Sequence, residues 1–152
     1  MNGYLGPPEL TAKVINNGWY STGDVAVIDD DGFIQITGRE SRFSKIGGEM
    51  VPHIKVEELL NKAIGGTEEE GIKAVVTAVP DPKRGERLVV VHTPMSKTPE
   101  QLQQALMQEG LPNIFIPGQD SYLEVETLPI LGTGKLDLKG IKQLAMEKFG
   151  EK

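Results

Sequence analysis

The sequence predicts an α/β (α+β) fold: a small sheet flanked by helices, with a β-hairpin ahead of it. Three observations carry this reading. Two apolar runs, "VAVID" and "GFIQITG", flank the turn "DDDG", and short alternation around Asp-Gly marks a hairpin. Val56, Leu59, Leu60, Ala63 and Ile64 recur at helical spacing. "IKAVVTAV" and "RLVVVHT" are strand-length apolar runs separated by "PDPKRGE".

The chain has 152 residues, of which 38% are hydrophobic, enough for one domain or one and a half with a real core. Disulfide and thiolate chemistry are excluded, because there is no cysteine. Sixteen basic and 22 acidic side chains leave a formal charge of −6. That balance disfavours nucleic acid or an anionic membrane as a general partner, though not a local basic patch. His53 and His92 lie far apart, without the further ligands a metal site needs. No run reaches the length of a membrane span, and "MNGYLGPPEL" lacks the regions of a signal peptide. The expected location is cytoplasmic.

In chain order, loop character extends to about Asn17, and the hairpin follows. Its alternation is imperfect, with Val25 and Val27 out of step with Phe33, Gln35 and Thr37. "GRESRFSKIGGEM" reads as a loop with room for one short strand at "FSKI". The helix around Val56–Ile64 comes next, ended by "GGTEEEG" as a solvated turn. After the two apolar strands, "KTPEQLQQALMQEG" is a helix with clear punctuation. Thr98 caps it, Pro99 occupies the first turn, and Gln101 completes a capping box. A short strand, "SYLEVE", and a loop, "TLPILGTGKLDLKG", lead to a last helix with Ile141, Leu144 and Ala145 on one face. Helices on one face of a small sheet would bury these apolar stripes.

Three polar clusters carry candidate chemistry. Asp24, after Gly23 and before a strand, suits either a ribose diol or a turn cap. Trp19 and Tyr20 beside it read as packing residues. Arg39 offers a rigid fork for hydroxyl, phosphate or carboxylate oxygens, or a surface ion pair. Gly47 and Gly48 permit positive φ or close backbone approach, bordering a narrow channel or only turning the chain. Lys45 nearby reads as a solvated lysine. In "LGTGKLD", a Walker loop fails on spacing: Pro129 stands where its first glycine belongs, and Leu136 follows the lysine. Lys135 is left as a solvated turn lysine or a donor reaching across a cleft to developing negative charge.

Taken together, the blocks "GWYSTGDVAVIDDDGFIQITGR", "SKIGGEMV" with "IKVEELL", "AVPDPKRGE" and "LPILGTGKLDLKG" resemble the carboxyl-terminal part of the adenylate-forming acyl-ligase superfamily. "KIGGEMVPHIKVEE" and "LPILGTGKLD" look most like its acyl–acyl-carrier-protein synthetase and 2-acylglycerophosphoethanolamine acyltransferase branch. The resemblance implies a terminal piece of a large adenylation domain at 1–38, a hinge at 39–43, and a small mobile domain at 44–152. It implies ATP (leaving AMP) and Mg2+ in the full-length enzyme, and a fatty acid activated as acyl-adenylate. The acyl group would then pass to the pantetheine thiol of acyl-carrier protein or coenzyme A. Asp24 and Arg39 would contact the nucleotide sugar, Lys135 would be the adenylation lysine, and Gly47 and Gly48 would border the thiol passage. Glu86 falls in a structural block with no chemistry assigned to it.

Two positions depart from the pattern. The hinge residue is usually Asp or Lys and here is Ser41, and Met50 stands where many relatives have arginine. The ATP loop, adenine block and acyl pocket of the family do not occur in this sequence. The resemblance therefore implies a missing adenylation domain as partner in cis, an inactive isolated chain, and unused apolar surface in residues 1–38. Any contact with the inner face of a membrane would come from the rest of the parent protein. A different acid, coenzyme A as acceptor, and a freestanding binding domain stay open as alternatives.

Overall fold

A computed structural model describes residues 2–65 and 71–150. The chain divides into two compact units, one ending at Ser41 and the other starting at Arg42.

The first unit starts with a short helix, α1 (Pro8–Val14), and two two-residue strands, β1 (Ile15–Asn16) and β2 (Trp19–Tyr20). The sequence reading takes this region for loop up to about Asn17. α1 buries no residue, so no apolar period announces it. The turn between β1 and β2 did carry a signal: Asn17-Gly18 takes positive φ at both residues, as a two-residue hairpin turn requires. Trp19 is 82% exposed and Tyr20 is also exposed, contrary to their reading as packing residues. Two-residue strands offer them no second layer to pack on.

The expected hairpin is β3 (Asp24–Ile28) with β4 (Ile34–Arg39). The Asp29 carboxylate closes its turn by accepting the Asp31 and Phe33 N–H groups. The register shifts between Val25 and Ala26. This bulge explains the imperfect alternation, because the extra residue moves the side chains beyond it to the other face. Val27, Ile28, Phe33, Ile34 and Ile36 are all exposed.

The second unit holds the core. β5 (Phe43–Ile46) and β6 (Glu49–Pro52) form an antiparallel hairpin, where the sequence suggested a loop with one strand. α2 (His53–Ile64) follows and ends on Gly65 in the left-handed region. The turn expected over "GGTEEEG" falls mostly at 66–70, outside the described residues. β7 (Ala74–Asp81) pairs antiparallel with β8 (Gly85–His92), which pairs parallel with β9 (Tyr122–Glu124). The sheet is therefore mixed, and α3 (Pro99–Gln108) makes the crossover that a parallel pair needs. The capping box is present as read: Thr98 accepts from the Gln101 N–H and Gln101 accepts from the Thr98 N–H. α4 (Leu138–Phe149) ends the chain, capped by Asp137.

The helices cover both faces of the sheet, not one. Ala74, Val76, Ala78, Leu88 and Val90 meet Val56, Leu60 and Ile64 of α2, Leu102 and Leu106 of α3, and Ile46 and Val51 of the β5–β6 hairpin. Val75, Val79, Val89 and Val91 meet Ile141 and Ala145 of α4. Consecutive strand residues point to opposite faces, so unbroken runs of valine need cover on both sides. Among the described residues no helix is long and apolar enough to cross a membrane.

One edge of the sheet is closed by side chains. On α2, Asn61 donates to the Ala74 carbonyl and accepts its N–H. One turn earlier, Glu57 accepts the Val76 N–H at 2.6 Å, and Arg42 donates to the Val76 carbonyl at 3.2 Å. Four helix residues rise about 6 Å and two strand residues about 6.7 Å, so Glu57 and Asn61 reach successive outward-pointing residues of β7. Pro80, two pairs further on, has no N–H to offer.

Candidate functional site

The candidate residues lie in three places, one in the first unit and two in the second. In the first, Asp24 opens β3 directly opposite Arg39 at the end of β4. Gly23 precedes it at φ +71°, which turns the chain into the strand. Arg39 Nε stands 2.7 Å from Asp24 Oδ1, with side chains 64% and 20% exposed respectively. The arginine also reaches the Thr22 carbonyl at 3.5 Å. The surface ion pair offered for Arg39 is present, with Asp24 as its partner, and Arg39 also borders a hollow. Thr22, Gly23, Arg39, Glu40 and Ser41 line that hollow, about 380 Å³ in volume. Tyr20 lies close enough to feel both charges. A hydrogen bond to Tyr4, and that residue's own phenol, push the Tyr20 pKa up. The donor set fits a sugar diol, with a carboxylate to accept and a guanidinium to donate.

In the second unit, Gly47 and Gly48 form the two-residue turn of the β5–β6 hairpin at φ +58° and +95°. Positive φ at both positions is the turn that matches strand twist. The Gly47 N–H donates to the Arg84 carbonyl at 2.8 Å, and the Lys45 N–H donates to Glu86 Oε2 at 2.7 Å. Glu86 therefore does structural work, holding this hairpin to the start of β8. A Cβ on Gly47 would come within 3.3 Å of Ile114 Cδ1, while Gly48 faces open space.

Lys135 sits in a tight turn before α4. The Gly134 N–H donates to the Leu131 carbonyl and the Leu131 N–H to the Lys135 carbonyl, at 2.9 and 2.7 Å. Gly134 takes φ +81°, the left-handed residue of a bulged turn. Ile130 bridges Leu136, and the Asp137 N–H reaches back to the Pro129 carbonyl. Leu128 and Leu136 pack under α4. The backbone is thus fixed on both sides, while the lysine side chain is exposed and without an ion pair among the described residues. Lys135 belongs to the α4 side of the sheet, and Gly47–Gly48 to the α2–α3 side.

Sequence reading passed over Arg42 and Ser44 and weighed His53 only as a metal ligand; all three are buried in the second unit. Ser44 Oγ and His53 Nε2 are 2.7 Å apart. Burial, reinforced by the Arg42 and Lys142 cations, pushes the His53 pKa down to about 4. Both side chains are shut off from solvent, so the pair ties β5 to α2. Among the described residues no group of three His, Asp or Glu forms a metal site.

No family model matches the sequence. The curated relatives are consistent with one another. The peroxisomal trans-cinnamate:CoA ligase of Petunia hybrida is 34% identical over 99% of this chain and 25% of its own length. The long-chain-fatty-acid–CoA ligase of Thermus thermophilus is 30% identical over 97% of this chain and 27% of its own.

The chain belongs to the adenylate-forming acyl-CoA ligase superfamily, as a carboxyl-terminal portion.

It spans about a quarter of the length of the superfamily members it matches. Solved ligase structures carry the same fold. ATP-bound MatB from Rhodopseudomonas palustris superposes with a TM-score of 0.74 at 23% identity, over 98% of this chain and 29% of that one. At that identity the likeness is one of fold. The o-succinylbenzoate CoA synthetase of Bacillus subtilis, solved with its acyl-adenylate, gives 0.70 at 25% identity, over 93% of this chain and 28% of that one. The Petunia and Thermus ligases and the Bacillus synthetase are named for coenzyme A, and none of them supports the narrower carrier-protein branch.

Proposed function

We propose that this chain is the closing segment of an ATP-dependent acid–thiol ligase. Such an enzyme joins a carboxylate oxygen to the α-phosphorus of ATP with loss of pyrophosphate. A thiol sulfur then attacks the acyl carbon, and AMP leaves. In this reading Asp24 accepts from the ribose hydroxyls and Arg39 donates to the same sugar. Lys135 donates to the carboxylate and phosphate oxygens as negative charge grows there. Gly47 and Gly48 border the passage of the thiol arm. Mg2+ would arrive on the nucleotide phosphates.

The observation that carries the reading is Lys135: an unpaired cation on a backbone pinned at both flanks. The pinned turn fixes where the lysine stem starts, and its free ammonium can reach out to developing negative charge. Its position on the α4 side, away from the glycine turn, gives the two half-reactions separate surfaces of one small domain. Presenting them in turn requires a domain movement of the hinge type.

The test uses a full-length ligase carrying this segment. Lys135→Ala should lower acid-dependent pyrophosphate exchange by about 10²–10³. Thioester formation from preformed acyl-adenylate should fall far less. Equal adenylation by variant and parent would reject the role. Coenzyme A is the acceptor favoured by the relatives' names. Acyl-carrier protein, coupled or not to 2-acylglycerophosphoethanolamine acylation, rests on "KIGGEMVPHIKVEE" and "LPILGTGKLD" alone. Assaying the same enzyme with coenzyme A against holo-carrier protein separates the two.

A further inference from the structure

Two anchors flank the boundary between the units. Upstream, Arg39 pairs with Asp24, and the Glu40 N–H donates to the Gly23 carbonyl at 2.8 Å. Downstream, Arg42 is 8% exposed, forms an ion pair with Glu57, and donates to the Val76 carbonyl. Ser44, two residues on, is buried against His53. Between these anchors Ser41 is exposed, and no hydrogen bond or ion pair holds its side chain among the described residues.

We propose that Arg42 anchors the joint between the two units, confining its bending to Glu40 and Ser41. The resemblance places a pivot at Ser41 but leaves it without the charged contacts usual there. The anchor beyond it follows from the buried contacts instead. Glu57 accepts from both Arg42 and the Val76 N–H, so one carboxylate holds the joint to α2 and to the edge of β7. A guanidinium suits this task, because its rigid fork reaches a carboxylate and a carbonyl together. Arg42 is a positioning residue here. A short joint limits how many arrangements the units sample, which would help present the two surfaces in turn. That link to catalysis rests on the ligase reading; the anchor itself does not.

The test uses the whole 152-residue chain, which has no native cysteine. Spin labels at Gln35→Cys and Gln104→Cys, one in each unit and both at exposed positions, report the distribution of distances between units. Arg42→Met with Glu57→Gln removes both charges, so neither is left buried alone. Amide exchange at Val76 should accelerate at least about tenfold in this variant, as expected for a lost charge-assisted bond. The distance distribution should broaden while Val90 stays protected. Ser41→Pro, which touches no buried group, should narrow the distribution. Faster Val76 exchange with an unchanged distribution overturns the proposal. So does an unaltered distribution in Ser41→Pro, which decides the question even if the double variant fails to fold. No substrate is involved, so a negative result here leaves the Lys135 test standing.

Discussion

At the scale of single residues, the candidate site depends on side chains that the fold does not need, and the fold on ones the site does not use. Lys135 is exposed and makes no ion pair among the described residues, so its replacement should leave stability unchanged. His53 is the opposite case. Its folded-state pKa lies near 4 against an ordinary 6.5. Above pH 6.5 the folded and unfolded chains both carry it neutral. As the pH falls toward 4, the unfolded chain binds a proton that the folded chain refuses. Stability is then lost, on the order of 3 kcal/mol when the gap is fully developed. Urea midpoints should therefore drop between pH 7 and pH 4.5. In His53→Gln, which keeps a hydrogen-bonding group near Ser44, the drop should be smaller. An equal drop in both proteins would assign the acid sensitivity to the carboxylates instead. None of this was visible in the sequence, where His53 is one of two distant histidines. Its burial depends on helix and hairpin closing over it.

At the scale of elements, α2 acts as both core stripe and edge seal. Asn61 donates to the Glu57 and Ala74 carbonyls and accepts the Lys73 and Ala74 N–H groups. Asn61→Ala leaves strand-edge groups unpaired and should cost about 2 kcal/mol, read as a lower urea midpoint with an unchanged slope. Loss of only a few tenths would mean that water replaces the amide fully. The apolar period of α2, the capping box of α3 and the β3–β4 hairpin were legible, because each is written in one short unbroken stretch of chain. Second strand β6 was not, since Pro52 and the adjoining glycines read as loop. The edge seal was invisible for a different reason. Arg42 and Val76 are 34 residues apart, and no local pattern announces such a pairing. The Asp24–Arg39 pair was half legible: both residues stood out, and only the register of the hairpin brings them face to face.

At the scale of the whole molecule, the two units are unequal. The second has two apolar clusters, one on each side of its sheet. The first leaves Trp19, Phe33, Ile34 and Ile36 exposed. Such a density of exposed apolar side chains is what a contact site would leave uncovered, and the upstream domain of a ligase is the partner the family reading supplies. The isolated chain should therefore give no acid-dependent pyrophosphate exchange above background. Robust exchange by the pure 152-residue protein would overturn the view that ATP and acid are bound elsewhere. The fold class and superfamily were legible from four ordered blocks. Acceptor and acid were not, because nothing described here forms an acyl pocket.

The sealed edge of β7 has a practical consequence for recombining ligases. Arg42 lies three residues past Arg39, yet its guanidinium belongs to the sheet of the following unit. A crossover between two parents placed after Arg42 would import a foreign residue opposite Glu57 and strand a buried carboxylate. Placed between Ser41 and Arg42, the same splice would carry the whole second unit across with its polar seams intact.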